Sequence, residues 1–368
     1  MVISDFRIAQ LVLTNYKNYT FQRFEFGTKL NFIVGNNGTG KTSLLDAIYY
    51  TCFTKSYLSS SDILNVRFTT EFFRIETHLD VNNTPHLVEV KYSKNEKKEI
   101  LLDKSKLEKL ADYIGKFPCV IITPDDSQLI LGSSELRRKF LDASLSQYSS
   151  EYFQQLLLYN KILAQRNALL KSFYENRFFD KNLLDVYNQQ LISSGNIIYT
   201  YRKDFIQQFN QIFCLFYHQI FEGNEEVSVQ YTSDLHLKNF DSVLEDSISH
   251  DRNAQRTTKG IHTDDLVFEL NHLPIRKIGS QGQQKTFLLS LKLAQYDLLK
   301  TQKQLTPLLL LDDIFDKLDI HRIAKIIQLV NKDSIGQVFI SDTDKNRIQH
   351  FINENNITQY KLIHLGDI

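Results

Sequence analysis

The chain has 368 residues, of which 42% are hydrophobic and 23% charged, with only 13 glycines and 5 prolines. These proportions exclude a disordered or fibrous protein, and the length suffices for two domains or one domain with a large insertion. Lys and Arg total 43 against 43 Asp and Glu, so net charge neither argues for a nucleic-acid partner nor excludes one, because a local basic face is sufficient.

In chain order, the opening MVISDFRIAQLVLTNY is acidic and alternating where a secretory signal is basic and continuously apolar. No later run approaches the roughly 20 apolar residues of a membrane span. A soluble, cytoplasmic protein with no membrane partner is expected. The first hundred residues then read as strands: RIAQLVLTN, FQRFEF, KLNFIV, FFRIETHLD, HLVEVKYS and EILLD are short, often alternating and rich in β-branched and aromatic residues. The charged YSKNEKK (Tyr92–Lys98) reads as a solvated hairpin tip. Cys52, Cys119 and Cys214 lie far apart without metal-ligand spacing and read as buried thiols of a reducing compartment.

Between the third and fourth of these strands lies GNNGTGKT, which fits the P-loop pattern G-x-x-x-x-G-K-[ST]. It follows LNFIV and opens the helix TSLLDAIYYTCF, whose Leu44, Leu45, Ile48 and Cys52 make one apolar face. Gly35, Asn36, Asn37, Gly38, Thr39 and Gly40 would turn backbone N–H groups onto phosphate oxygens, helped by the helix dipole. Lys41 would reach the β- and γ-phosphates of ATP, and the Thr42 hydroxyl would ligate Mg2+.

The period changes from Ser133 to about Phe221. Phe153, Leu156, Leu157, Asn160 and Leu163 keep helical spacing, as do Phe205, Phe209, Ile212 and Phe216, and neither Gly nor Pro interrupts Ser133 to Ser194. Long helices packed on one another are expected. The strand DLVFEL follows, then GSQGQQKTFLLSLKLAQ (Gly279–Gln295), where serine, glycine and three glutamines precede an apolar helix. TPLLLLDDIFDKLD (Thr306–Asp319) reads as a strand buried on both faces and ending in two carboxylates. Beside a P-loop, Asp312 would hold Mg2+ through water and Asp313 would polarise the attacking water. Without one, the pair would read as a helix cap. GQVFIS and QYKLIHL supply two last strands.

A P-loop and a two-carboxylate strand are half of an ABC-type site, completed by a second subunit whose S-x-G-Q helix start faces the γ-phosphate. Ser280, Gly282 and Gln283 fit that start, since a serine hydroxyl, glycine N–H and helix dipole all suit an anion. In isolation they would read as an ordinary N-cap.

LTNYKNY, VGNNGTGKTSLLDAIYY, PDDSQLILGSSELRRKFLDASLSQ, YNKILAQRNALLK, TDDLVFEL, GSQGQQKTFLLSLKLAQ and LLLLDDIFDKLD, in that order, resemble the RecF family of recombination-repair proteins, relatives of the SMC ATPase heads. The resemblance implies an α/β, ABC-type ATPase head with mixed sheets and a P-loop core. It would be built from residues 1–122 and 265–368, with an inserted, mainly α-helical lobe over 123–264. It implies a slow, DNA-stimulated ATPase and an ATP-dependent homodimer. Such a dimer would bind double-stranded, gapped or junction DNA and help load RecA with RecO and RecR. Asp319 falls at the position of the D-loop that crosses between paired sites. Asp313 stands where many ABC ATPases have glutamate. FISDTD offers no switch histidine, leaving Asp342 and Thr343 as candidates for the γ-phosphate side, and Thr263 stands where a basic residue is expected. Candidate DNA contacts are Arg137, Arg138, Lys139, Lys161, Arg166 and Lys171, which would bind phosphates without sequence preference; Arg137 and Arg138 could equally pair with acids on neighbouring turns. Two other readings stay open: an architectural SMC-like clamp gated by ATP, and a transporter's nucleotide-binding subunit, against which stand the long helical insertion and the missing histidine.

Overall fold

The computed structural model describes residues 4–221, 223–314 and 335–366, together with Ile323, Lys325 and Gln328. It divides into two compact units, Met1–Asp126 with Leu291–Ile368, and Ser127–Ser290.

The first unit carries two sheets. Strands β1 (Phe6–Tyr16), β2 (Tyr19–Glu25), β4 (Phe72–Val81), β5 (Thr84–Ser93), β6 (Glu99–Leu102) and β7 (Ser105–Lys106) form an antiparallel sheet in the order β2-β1-β4-β5-β6-β7. Its alternating burial is the physical counterpart of the alternating sequence, with one face on the core and one in water. β5 and β6 pair antiparallel, with the charged 94–98 connection at their turn. The second sheet is parallel. It joins β3 (Leu30–Val34), β8 (Cys119–Ile122), β12 (Leu308–Leu311), β13 (Val338–Asp342) and β14 (Tyr360–His364) in the order β14-β3-β13-β12-β8. All residues of β3, β8, β12 and β13 are buried, as continuous apolar runs between covered faces require. LNFIV and LLLL thus lie in one sheet with β13 between them, and Leu311 aligns with Ile340 while Asp342 aligns with Val34.

Helix α1 (Lys41–Phe53) departs from the expected single apolar face. From Leu44 to Phe53 every residue is buried, Asp46 included. The cause is its position, because α1 packs on β4 and β5 of one sheet and on β8 and β13 of the other. Helix α9 (Lys345–Glu354) precedes β14.

The second unit holds helices α2 (Ser127–Leu131), α3 (Ser134–Tyr148), α4 (Ser150–Glu175), α5 (Lys181–Ile220), α6 (Phe240–Ala254) and α7 (Ile275–Ile278), with a sheet β11-β10-β9 of Val227–Thr232 (β9), Asp265–Leu270 (β10) and Leu273–Pro274 (β11). The uninterrupted helical pattern becomes α3 to α5. Gly195, inside the 40-residue α5, is required by packing: a Cβ there would meet Phe240 Cε1 of α6 at 2.3 Å. The expected boundary at 264 falls inside this unit. β10 pairs along its whole length with β9, and Arg137 of α3 binds Asp265 at 2.7 Å, so residues 265–290 cohere with the helices. Helix α8 (Gln281–Lys303) begins in this unit. Among the described residues no helix is long and apolar enough to cross a membrane.

Candidate nucleotide site

Strand β3 delivers the chain to Gly35, and the loop to Gly40 turns it into α1. The turn uses left-handed backbone at Gly38 (φ 85°) and Gly40 (φ 94°), which L-residues adopt only under strain. Gly40 also has no room for a side chain, since a Cβ would lie 2.6 Å from the Tyr19 hydroxyl. That hydroxyl donates to the Gly40 carbonyl at 3.0 Å, and Asn18 Nδ2 reaches the Gly38 carbonyl at 3.4 Å. The β1–β2 turn therefore braces the loop from outside. Asn36, Asn37 and Gly38 form its exposed crest, whereas Thr39, whose hydroxyl donates to Asn36 O at 2.8 Å, is buried. Lys41 Nζ donates to the carbonyls of Gly35 (2.8 Å) and Asn36 (3.0 Å), so the ammonium sits in the curve of the loop.

The parallel sheet brings the carboxylates to the same end. Thr42 Oγ1 donates to Asp312 Oδ1 at 3.2 Å, although 270 residues separate them. Burial raises the Asp312 carboxyl above the ordinary range, opposed by hydrogen bonds from Ser341 and Thr42 and by the charge of Lys41. A hydroxyl and a carboxylate meeting in this way are hard oxygen donors, the set that suits Mg2+. Asp313 follows in a left-handed turn (φ 44°). Asp319 lies outside the described residues.

Asp342 departs from its expected role toward the γ-phosphate. It is 1% exposed, and Arg347 Nη2 binds its two oxygens at 2.7 and 2.8 Å while the Asp344 N–H donates at 2.6 Å. Its carboxylate is held by Arg347 of α9, and its carbonyl accepts from the Gly35 N–H at 3.4 Å. Thr343 is half-buried.

In the second unit, Ser280 opens α8 through a reciprocal cap. Gln283 N–H donates to Ser280 Oγ (3.2 Å) and Ser280 N–H donates to Gln283 Oε1 (2.7 Å). Gln283 Nε2 then donates to Glu225 Oε1 at 2.5 Å, and the Tyr217 hydroxyl holds the other oxygen of Glu225 at 2.5 Å. Both ends of the Gln283 amide are thus engaged inside the unit, and they fix the helix start. Ser280 is exposed and Gly282 half-buried.

The family model described as RecF/RecN/SMC N terminal domain matches residues 7–362. The DNA replication and repair protein RecF of Flavobacterium johnsoniae is 44% identical over 97% of this chain and 99% of its own length. The chain belongs to the RecF family. Two solved structures of the recombination mediator protein RecF in the RecFOR pathway, RecF-ATPrS and RecF-ATP, are each 29% identical to it. They have TM-scores of 0.86 and 0.85, covering 92% and 94% of this chain and 93% and 96% of theirs. Its fold is the mixed α/β, ABC-type head with a helical insertion that the motifs implied.

The six basic residues offered for DNA separate in this RecF-family chain. Arg166 is fully buried, bound to Asp251 (2.7 Å), Asn188 (2.8 Å) and Thr257 (2.8 Å). Arg137 is buried and forks onto Asp265 at 2.7 and 2.9 Å. Both guanidinium groups are turned inward onto internal acids, contrary to the expectation that they face DNA phosphates. Arg138 is half-buried and donates to the Asp264 carbonyl at 2.7 Å. Lys139, Lys161 and Lys171 are exposed; Lys139 and Lys171 make i,i+4 pairs with Glu135 and Glu175, which cost little to break. Sequence reading missed Asp46, whose carboxylate accepts from Tyr16, Lys17 and Ser56 side chains and the Tyr57 and Leu58 N–H groups. A lone carboxylate among DAIYY was the available signal, because an acid in an apolar run must find partners. Lys292 was missed in the same way: buried on α8, it binds Asp126 (3.1 Å) and the Ile121 carbonyl (2.8 Å).

Proposed function

We propose that this RecF-family protein binds ATP with Mg2+, hydrolyses it slowly, and dimerises on ATP to hold gapped or junction DNA in the cytoplasm during recombinational repair and replication. With RecO and RecR it would help load RecA. The observation that carries the reading is the meeting of Lys41, Thr42 and Asp312 at one end of a parallel sheet. In the bound state Lys41 exchanges the Gly35 and Asn36 carbonyls for β- and γ-phosphate oxygens, and the N–H groups of Gly35–Gly40 line the phosphates. Mg2+, held by Thr42 and through water by Asp312, would neutralise the phosphate charge that grows during transfer. Asp313 polarises the attacking water; the water oxygen bonds to the γ-phosphorus as the bridging P–O bond to ADP breaks, and the water's protons leave on the released phosphate. Ser280 and the Gly282 N–H of a second copy face that γ-phosphate, with Asp319 at the crossing. In domain terms, the head would gather both chain ends and the helical lobe would carry DNA on Lys139, Lys161 and Lys171.

An ATPase assay with and without gapped duplex, paired with sedimentation with and without ATP, tests the whole reading. Turnover raised by gapped DNA, and a dimer that forms only with ATP, are expected. A monomer in ATP whose turnover ignores DNA would overturn it.

A further inference from the structure

The strand between the P-loop strand and the carboxylate strand, β13, reads VFISD, and its serine stands in register with Ile33 of β3. Ser341 is 0% exposed, and a buried hydroxyl costs free energy unless both its donor and acceptor capacity are used. Here they are used on the two candidate carboxylate residues at once. The hydroxyl donates to Asp312 Oδ1 at 2.6 Å and accepts the Asp313 N–H at 2.9 Å. Asp312 Oδ1 is also the atom that receives the Thr42 hydroxyl. Asp313, whose N–H is caught, is the residue in left-handed backbone, a conformation that costs a non-glycine residue free energy and persists only where surroundings impose it.

We infer that Ser341 is a positioning residue of the nucleotide site, aiming Asp312 at the metal position and holding the strained turn that presents Asp313. The inference rests on the ATPase reading above. The rigid parallel register, Leu311 with Ile340 and Asp342 with Val34, fixes the serine between the two halves it serves. A hydroxyl there that merely filled space would not need to join both.

The test uses the full-length protein and the variants Ser341→Ala and Ser341→Cys, the second keeping the volume while weakening both hydrogen bonds should the first fail to fold. Binding of a fluorescent ATP analogue is measured with EDTA and across a Mg2+ titration, followed by steady-state ATPase. Outer partners of metal ligands are typically worth about 10- to 100-fold in metal affinity or activity. The expected result is unchanged affinity in EDTA, a Mg2+ midpoint raised by about that factor, and kcat lowered with KM little changed. Equal Mg2+ midpoints and kcat in wild type and both variants would overturn the inference, as would equal losses of affinity with and without Mg2+, which mark a structural serine. Wild type that binds no nucleotide, or binds it without regard to Mg2+, would instead overturn the ATPase reading on which the inference stands.

Discussion

Replacing Arg166 with alanine separates two explanations of one residue. As a DNA contact, it would leave the fold intact when removed. In the structure its guanidinium is enclosed with Asp251, and both side chains are 0% exposed. Removing one partner of a buried pair costs about 3–5 kcal/mol, because the other charge stays buried and uncompensated. Asp251 keeps the Thr258 N–H (2.8 Å) and hydroxyl (2.6 Å) and a longer bond from Ser247 (3.3 Å), which points to the lower end, about 3 kcal/mol. For a unit the size of Ser127–Ser290, each kcal/mol moves the melting temperature by about 2–4 °C, so a fall of about 6–12 °C is expected. Differential scanning calorimetry and urea denaturation measure it. Residual folded protein at 10 °C should bind DNA as wild type does. An unchanged melting temperature combined with lost DNA binding would refute the burial argument and restore Arg166 to the interface.

Lys41→Ala should abolish nucleotide binding, whereas Asp313→Asn should keep ATP and Mg2+ bound and trap the dimer; isothermal titration that finds equal losses in both would refute this division of roles. Ser280→Arg should bind ATP yet fail to dimerise, and its mixture with Lys41→Ala should regain about one composite site per heterodimer, read as ATPase activity absent from either variant alone. Changing Lys139, Lys161 and Lys171 together to alanine should reduce the slope of log affinity for duplex against log salt by about 2–3, at roughly 0.9 per lost phosphate contact; an unchanged slope would place the DNA elsewhere.

What could be read from sequence was what period and local chemistry encode. The six N-terminal strands, the helical run, DLVFEL and LLLL appear where the alternation and apolar runs put them. GNNGTGKT forms a loop with left-handed glycines at Gly38 and Gly40. What could not be read depended on long-range neighbours. Arg137 and Arg166 look like surface cations because nothing near them in sequence announces Asp265 or Asp251, which lie 128 and 85 residues away. The burial of α1 on all sides follows from a second sheet pressing on it, which an amphipathic pattern cannot report. The unit boundary moved for the same reason, since the pairing of β10 with β9 is invisible in either strand alone.

The two helix starts assigned to phosphate share a feature set against the rest of the fold. A carboxylate at a helix N-terminus stabilises it by about 0.3–1 kcal/mol. Among the described helices of ten residues or more, α3, α4 and α6 carry Glu135, Glu151 and Asp241 in their first turns, and α5 and α9 are capped by Asp180 and Asp344. Only α1 and α8 have neither. Their first turns hold no acid, α1 starts from Gly40, and α8 starts from Ser280 with the neutral Gln283 completing the cap. A chain with 43 acidic residues forgoes that stabilisation at the two helices where a bound triphosphate would supply the negative charge instead. The cap at Ser280 is therefore compatible with the trans role. A serine that accepts from its own helix keeps its proton for an incoming oxygen, whereas an aspartate, the equally good cap, would repel it.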